Sequence, residues 1–193
     1  MPKRLITVSG PRGAGKETIL NFLLQQASCS SRVVPFTTRP PRISEENGRE
    51  YNFISKDEYL FLKENNLLVY STKVGDYFTG TQLEEFNRHT NAVIDITVEG
   101  ALILAQYQAT VKLFVFAHPH ERCKRIMLRQ KVSFCEARRL MSHEPSPAVI
   151  ENVWALYQDF EIILNHDHTP EAGLLASARY TRDFLCASAQ IAY

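Results

Sequence analysis

The segment with the clearest chemistry is "TVSGPRGAGKETIL", residues 7–20, which reads as a strand end, a glycine-rich turn and a helix start. Gly10, Gly15 and Lys16 match all but the last defined position of the phosphate-binding pattern G-x-x-x-x-G-K-[ST], in which backbone N–H groups cradle phosphates and the lysine reaches the outer ones. The hydroxyl position of the pattern carries Glu17 instead. The sequence therefore predicts an ATP phosphate site formed by Gly10, Pro11, Arg12, Gly13, Ala14, Gly15, Lys16, Glu17 and Thr18.

Glu17 leaves three roles open. A Ser or Thr at its position normally reaches the Mg²⁺ that accompanies ATP, and a carboxylate could hold that ion through water because Mg²⁺ keeps several of its waters. The carboxylate could instead repel phosphate, or it could be a first-turn acid that favours the helix N-terminus. Thr18 supplies a hydroxyl one residue later, but the helix turns it in another direction.

A second cluster, "TTRPPRISEENGREYNF", has the residues for a second phosphate. Arg39 and Arg42 are three apart in a proline-stiffened loop, with Glu45 and Tyr51 nearby. Fixed guanidinium groups beside a tyrosine hydroxyl suit a phosphate because arginine binds it bidentately. A solvated, proline-rich surface loop is the alternative interpretation of these residues alone.

A third cluster is the basic segment "ERCKRIMLRQKVSFCEARRL". Arg125 and Arg129 are four apart and share one face of a predicted helix, and Arg138 and Arg139 follow on the next helix. Arginines of this kind stabilise the charge that phosphoryl transfer spreads over the equatorial oxygens. On this segment alone, a solvated basic helix face is the alternative.

The elements that would position these clusters alternate between strands and helices. Strands are predicted in "RLITVSG", "NAVIDIT", "VKLFVFA" and "FEIILN", with a hairpin in "LLVYSTKVGDYFTGT". Helices are predicted in "KETILNFLLQQA", "SKDEYLFLKENN" with Ser55 as N-cap, "QLEEFNRHT" and "EAGLLASARYTRDFLCASA", and as a basic pair broken near Val132 and Ser133. Nearly continuous apolar strands between helices indicate an α/β fold with a parallel sheet, whose ligands bind at the carboxyl ends of the strands.

Composition sets limits on function. The chain has 193 residues, is 45% hydrophobic and has a net charge of +1, so we expect one domain and no surface for nucleic acid. Its four cysteines form no C-x-x-C pair and are expected to be free thiols. No apolar run of membrane-spanning length is present, and the N-terminus runs directly into a strand, so we expect a soluble, cytoplasmic protein without a membrane anchor. His166, Asp167 and His168 are read as a solvated turn, and no resident metal site is predicted.

Four motifs, "GPRGAGK", "TTRPPR", "SEENGREYNFIS" and "VIDITVEGA", make the chain resemble the guanylate kinase family over most of its length. The resemblance implies a P-loop kinase fold in which helices flank a central parallel sheet. It implies one domain of residues 1–193, with a core of 1–34 and 91–193, an acceptor-binding insert at about 35–90 and a helical lid at about 125–145. It also implies transfer of the ATP γ-phosphate, with Mg²⁺, to a nucleoside monophosphate, GMP or dGMP.

The resemblance also implies residue roles. Catalysis is assigned to Lys16, Arg125, Arg129 and Arg139. Arg39, Arg42 and Tyr51 match the residues for the acceptor phosphate, Glu45 matches the acid that follows them, and Asp95 and Thr81 match groups that face the acceptor. Asn165, at a strand end, is the candidate for an adenine-side contact.

Two departures bear on the base. The family's serine before the arginine loop is Pro35, and the glutamate that helps to read guanine aligns with Tyr70. Guanine presents an N1–H and a 2-amino group, both donors, so a carboxylate is their natural partner. The segment "GDYFTGT" also has one residue more than the family's "GNYYGT". We therefore expect the chain to accept GMP less exclusively than a typical member.

Two other functions compete with this one. A glutamate after the lysine resembles the "GKD" of ribose bisphosphate-type phosphosugar kinases, although those lack the set of two arginines and a tyrosine. Pro35 and "PPR..EENG" resemble the guanylate-kinase-like scaffold domains, which bind proteins and have lost catalysis. Those domains typically have a degraded phosphate loop, whereas Gly15 and Lys16 are intact here. The sequence leaves the oligomeric state open.

Overall fold

The structure, a computed structural model, describes residues 4–25, 31–42, 45–106, 110–142 and 160–165. In chain order the elements are β1 Arg4–Ser9, α1 Lys16–Gln25, β2 Ser31–Arg32, β3 Phe36–Thr37, β4 Asn52–Phe53, α2 Lys56–Glu64, β5 Leu68–Val74, β6 Tyr77–Gln82, α3 Leu83–Asn87, β7 Asn91–Asp95, α4 Val98–Ala105, β8 Thr110–Phe116, α5 Pro119–Gln130, α6 Phe134–Ser142 and β9 Glu161–Leu164.

A five-stranded parallel sheet with the order β2-β7-β1-β8-β9 forms the centre of the molecule. Successive residues of β1 face opposite sides: Ile6 packs in a cluster with Leu20 of α1, and Leu5 packs in a second cluster with Leu104 of α4. Helices thus cover both faces, which explains why the central strands are apolar along their whole length. The predicted α/β fold with a helix-flanked parallel sheet is confirmed.

A second sheet, with the order β4-β3-β6-β5, is formed by strands between Phe36 and Gln82. The predicted hairpin is its β5–β6 pair, which is antiparallel. The extra residue of "GDYFTGT" causes no irregularity in β6, which pairs residue for residue with β5 from Tyr77 to Thr81. The register shift of this hairpin lies on β5, between Leu68 and Tyr70. The boundaries proposed for a core, an insert and a lid stay a prediction.

Two sequence predictions about helix ends are confirmed. The Ser55 side chain accepts a hydrogen bond from the Glu58 N–H at the start of α2. The basic segment divides into α5 and α6 around Val132 and Ser133. The predicted closing helix and residues 166–168 lie outside the described residues.

Helix α4 was missed in the sequence. Its apolar residues continue directly from β7, and both elements are buried, so periodicity could not separate them. The usable signal was Thr97, whose hydroxyl caps the helix by accepting from the Gly100 N–H.

The cysteines of the described residues form no disulfide. Cys123 is buried and Cys135 is exposed, and both are free thiols. Cys29 and Cys186 lie outside the described residues. Within the described part of the chain, no helix is long and apolar enough to cross a membrane.

Candidate functional site

The glycine-rich turn between β1 and α1 is enclosed by two neighbouring elements. Gly10 has a φ of +143°, and a Cβ at this position would lie 2.2 Å from the Val115 carbonyl oxygen of β8. Gly13 has a φ of +79°, and its Cβ would lie 2.8 Å from the Arg122 carbonyl oxygen of α5. Glycine is therefore required at both positions, by backbone conformation and by space.

The carbonyl groups of this turn are held by three side chains. Two donors come from α5: Arg122 Nε donates to the Arg12 oxygen at 2.8 Å, and Arg125 Nη1 donates to the Gly13 and Ala14 oxygens at 3.1 Å each. The third, Asn165 at the end of β9, donates from Nδ2 to the Ala14 oxygen at 2.7 Å. Two of the donors, Arg122 and Asn165, are almost fully buried.

These anchors bear on the direction of the backbone N–H groups. In a trans peptide the N–H points away from the carbonyl that precedes it. Anchoring the carbonyls of Arg12 and Ala14 therefore turns the N–H groups of Gly13 and Gly15 away from the anchoring side chains. The arrangement presents donors for an anion at the N-terminus of α1.

Two of the side chains that hold the turn, Arg125 and Asn165, were predicted from the sequence as site residues, and the third, Arg122, was not. Arg125, assigned to catalysis, contacts the phosphate-loop backbone. Asn165, assigned to adenine, also contacts that loop, and its buried Oδ1 has no hydrogen-bond partner among the described residues. Arg122 was not singled out in the sequence, because an arginine on a basic helix gives no sign of burial.

Lys16 and Glu17 begin α1 and have different partners. Lys16 Nζ donates to the Gly10 carbonyl at 2.8 Å, so the ammonium lies over the turn. Glu17 Oε1 accepts from Nη1 of Arg32 in β2 at 2.8 Å. Thr18 is exposed. Arg32 is a site residue that the sequence did not indicate, since no motif connects it to Glu17.

Asp95 ends β7, the strand between β2 and β1, and brings a second carboxylate to the same place. Loss of hydration raises its pKa above the ordinary value of 3.8, and Glu17 adds to the rise. The positive charges of Lys16 and Arg32 act in the opposite direction. Four ionisable groups, two acids and two bases, therefore interact electrostatically at the carboxyl edge of the sheet.

The raised pKa of Asp95 has a consequence for stability. Its ionised form is disfavoured in the folded state, so stability falls as pH rises through the interval between 3.8 and the raised value. We expect Asp95→Asn to raise the melting temperature at neutral pH by about 2 °C or more. Melting curves measured from about pH 4 to 8 should show a gain that widens with pH. A lower melting temperature for the variant at neutral pH would contradict this account of Asp95.

The arginine loop is organised by a single carboxylate. Glu45 accepts from both terminal nitrogens of Arg39, at 2.6 and 2.7 Å, and from the backbone N–H and Nη1 of Arg42, at 2.9 and 3.3 Å. Burial would raise the pKa of Glu45, but its bonds to Arg39 and Arg42 outweigh burial and lower it. Arg42 remains the more open of the two, with 42% of its side chain exposed against 16% for Arg39.

Tyr51 packs against Arg39 of this loop. The Arg39 guanidinium carbon lies 5.2 Å from the centre of the Tyr51 ring, over its face. Burial raises the pKa of Tyr51, and the negative charge of Asp95 raises it further. The tyrosine therefore stays protonated and able to donate a hydrogen bond.

Tyr70 and Thr81 face each other across the β5–β6 hairpin. Burial raises the pKa of Tyr70, while the nearby Thr81 hydroxyl acts against the rise. The Tyr70 ring packs so closely on α4 that a Cβ on Gly100 would lie 2.6 Å from it. Thr81 Oγ1 is buried with no partner of good hydrogen-bond geometry among the described residues. The negative charges of Asp95 and Glu99 also raise the pKa of Tyr70, so its hydroxyl interacts electrostatically with the acids at this edge of the sheet.

Pro35 lies at the start of the same sheet. It is buried, and its carbonyl accepts from the Asn52 N–H at 2.9 Å. This position adds a backbone connection between the loop strands but has no side-chain hydroxyl.

The basic helices differ in what they contribute. Arg129 of α5 is exposed and lies near enough to Arg42 for its charge to help lower the pKa of Arg42, after burial and Arg39. Arg139, in the last turn of α6, is exposed, and its side chain forms no hydrogen bond or ion pair with the described residues. Among the described residues, Arg129 thus interacts electrostatically with Arg42, whereas no such interaction is found for Arg139.

Comparison with known proteins identifies the relatives of this site. A family model described as guanylate kinase matches residues 2–173. The guanylate kinase of Chlamydia caviae is 37% identical over 129 residues, which are 63% of this chain and 62% of that protein. The guanylate kinase of Chlamydia felis is 36% identical over 143 residues, which are 70% of this chain and 69% of that protein.

A solved structure agrees with the fold. The crystal structure of guanylate kinase from Anaplasma phagocytophilum matches with a TM-score of 0.60 and 20% identity, over 97% of this chain and 86% of that one. The chain spans about 62% of the length of the Chlamydia caviae relative. With a family model covering most of its residues, the chain belongs to the guanylate kinase family.

Proposed function

We propose that this chain transfers the γ-phosphate of ATP to a nucleoside monophosphate, with GMP or dGMP as the main acceptor. The observation that carries the proposal is the position of α5. Arg125 of this helix bonds to the phosphate loop, and Arg129, one turn further, is near enough to Arg42 of the arginine loop for its charge to act on that side chain. Residues four apart on a helix are about 6 Å apart, so one face of α5 supplies an arginine to each of the two proposed anion sites.

The phosphate loop supplies the donor side. Lys16 would leave the Gly10 carbonyl for the outer phosphates, and the N–H groups of the turn would bind the remaining oxygens. Mg²⁺, bound with ATP, would neutralise charge on the transferred group. The chemistry here fits that ion, because the Glu17 and Asp95 carboxylates are hard oxygen donors beside Lys16.

The arginine loop supplies the acceptor side. Glu45 holds Arg39 and Arg42 in fixed positions, so their guanidinium groups are oriented before a phosphate arrives. Tyr51, kept protonated, can donate to the same phosphate. Preorganised donors of this kind lower the cost of binding and of the charge that develops during transfer.

The direct test is an ADP-release assay with ATP and a panel of GMP, dGMP, AMP, CMP and UMP. We expect turnover with GMP and dGMP, and a weaker but measurable rate with AMP. ATP binding without turnover of any nucleotide would favour the phosphosugar kinase or the protein-binding domain. Rejection of AMP by about 10⁴-fold, as fully paired sites achieve, would show that Tyr70 is not in the base pocket.

Tyr70→Glu should sharpen the preference for GMP over AMP. A carboxylate can accept from the N1–H and 2-amino donors of guanine, and hydrogen-bond readers give large selectivity ratios. We expect the ratio of kcat/KM for the two substrates to rise about 10-fold or more, with a lower melting temperature because the buried ring is lost. Tyr70→Phe is the matched control, since it keeps the ring and adds no carboxylate. An unchanged ratio in the folded glutamate variant would argue against this position as a base reader.

A further inference from the structure

Glu17 and Arg32 form an ion pair at the phosphate loop. Arg32 Nη1 lies 2.8 Å from Glu17 Oε1, and the Arg32 and Glu17 side chains are 13% and 44% exposed. The carboxylate stands where the phosphate-binding pattern has a hydroxyl, directly after Lys16. A negative group at this place faces the same anions that the loop is built to bind.

The fold supplies the neutralising charge from a different strand. Arg32 ends β2, which is parallel to β7 and places the guanidinium near the Asp95 carboxylate as well. Removing Arg32 would leave the positive charge of Lys16 against the two carboxylates of Glu17 and Asp95. The local charge would then be less favourable for a polyphosphate by one positive charge.

We propose that Arg32 is a positioning residue for the nucleotide site, which neutralises and orients Glu17 so that a carboxylate is tolerated in the hydroxyl position of the phosphate loop. The proposal rests on the ATP-binding part of the proposed function. The Oε1 atom is engaged by Arg32, which leaves the second carboxylate oxygen available to a metal-bound water. Arg32 thus acts through Glu17 and makes no phosphate contact of its own.

Two alternative roles for Arg32 predict different effects of its substitution on ATP affinity. If Arg32 contacted phosphate directly, its loss would weaken binding whatever residue stood at position 17. If the pair were only a surface ion pair, it would contribute little to ATP affinity. A double-mutant cycle separates these cases because it measures whether the two side chains act as a unit.

The experiment is calorimetric titration of ATP, with and without Mg²⁺, into the full chain and three variants: Arg32→Gln, Glu17→Gln and the double variant. We expect Arg32→Gln to weaken ATP binding about 10-fold in the presence of Glu17 and less than about 3-fold in the Glu17→Gln background. Glu17→Gln alone should tighten Mg²⁺-free ATP several-fold, since it removes a negative charge from the phosphate loop. Glu17→Gln should also reduce the gain in affinity that Mg²⁺ provides.

Controls keep the test specific. Arg88→Gln removes an arginine from another pair, with Glu84, and should leave ATP binding unchanged. Arg32→Lys keeps the charge and should recover most of the lost affinity, which a merely structural defect would not allow. Equal losses from Arg32→Gln in both backgrounds, or no loss in either, would overturn the proposal.

If Arg32→Gln does not fold, Glu17→Gln alone decides the matter, and unchanged or weaker Mg²⁺-free ATP binding would count against the pair. The proposed function fails separately, by absence of ATP binding in the unsubstituted chain.

Discussion

Arg42→Ala should raise the KM for the nucleoside monophosphate about 10- to 100-fold, corresponding to the loss of a charge-assisted contact of about 1.5–3 kcal/mol. ATP affinity should change little, because Arg42 belongs to the arginine loop and the phosphate loop has its own donors. The variant should fold, since Arg39 keeps its two bonds to Glu45 when Arg42 is removed. Steady-state kinetics at saturating ATP, with calorimetry for ATP alone, measure the two quantities.

A matched control is available in the same segment. Arg49 is 67% exposed, and its ion pairs among the described residues are with its neighbours Glu46 and Glu50. Arg49→Ala removes the same charge from the loop region and should leave the acceptor KM within about twofold, as for a surface ion pair. A similar rise in KM for both variants would mean that the effect comes from general charge and not from an acceptor phosphate contact at Arg42.

Lys16→Ala should weaken ATP binding about 10-fold or more, because in the proposed function the ammonium binds the outer phosphates as a point charge. The loss of Lys16 also leaves Asp95 with less neutralising charge, so the local field becomes more negative. Folding should be preserved, since Lys16 is partly exposed and its resolved bond is to the Gly10 carbonyl. Calorimetry with ATP gives the affinity, and a melting curve checks the fold.

Lys73, an exposed lysine on β5, provides the comparison for this variant. Lys73→Ala removes one positive charge at a position away from the phosphate loop and should leave ATP affinity unaltered. Unchanged ATP binding in Lys16→Ala would remove the basis for a nucleotide site at this loop. The acceptor result for Arg42 would then need a cause other than phosphoryl transfer.

The sequence by itself determined the features that depend on residues close together in the chain. The strand–turn–helix context of Gly10, Gly15 and Lys16 was readable because the pattern occupies adjacent positions. The arrangement of Arg39, Arg42 and Glu45 was likewise within reach, since residues three and six apart in a stiff loop meet without help from the rest of the fold. The hairpin and the Ser55 cap follow from short-range hydrogen-bond rules of the same kind.

The tertiary structure decided which distant side chains reach the phosphate loop. Arg32 meets Glu17 across 15 residues, and Arg125 meets Gly13 across 112. Such contacts depend on the strand order β2-β7-β1-β8-β9, in which strands that follow one another in the chain are not always neighbours in the sheet. The sequence contains the alternating elements but not their order in space, because many orders bury the same apolar residues. The partners of Glu17, Arg125 and Asn165 were therefore beyond pattern reading, although each of these residues had been singled out.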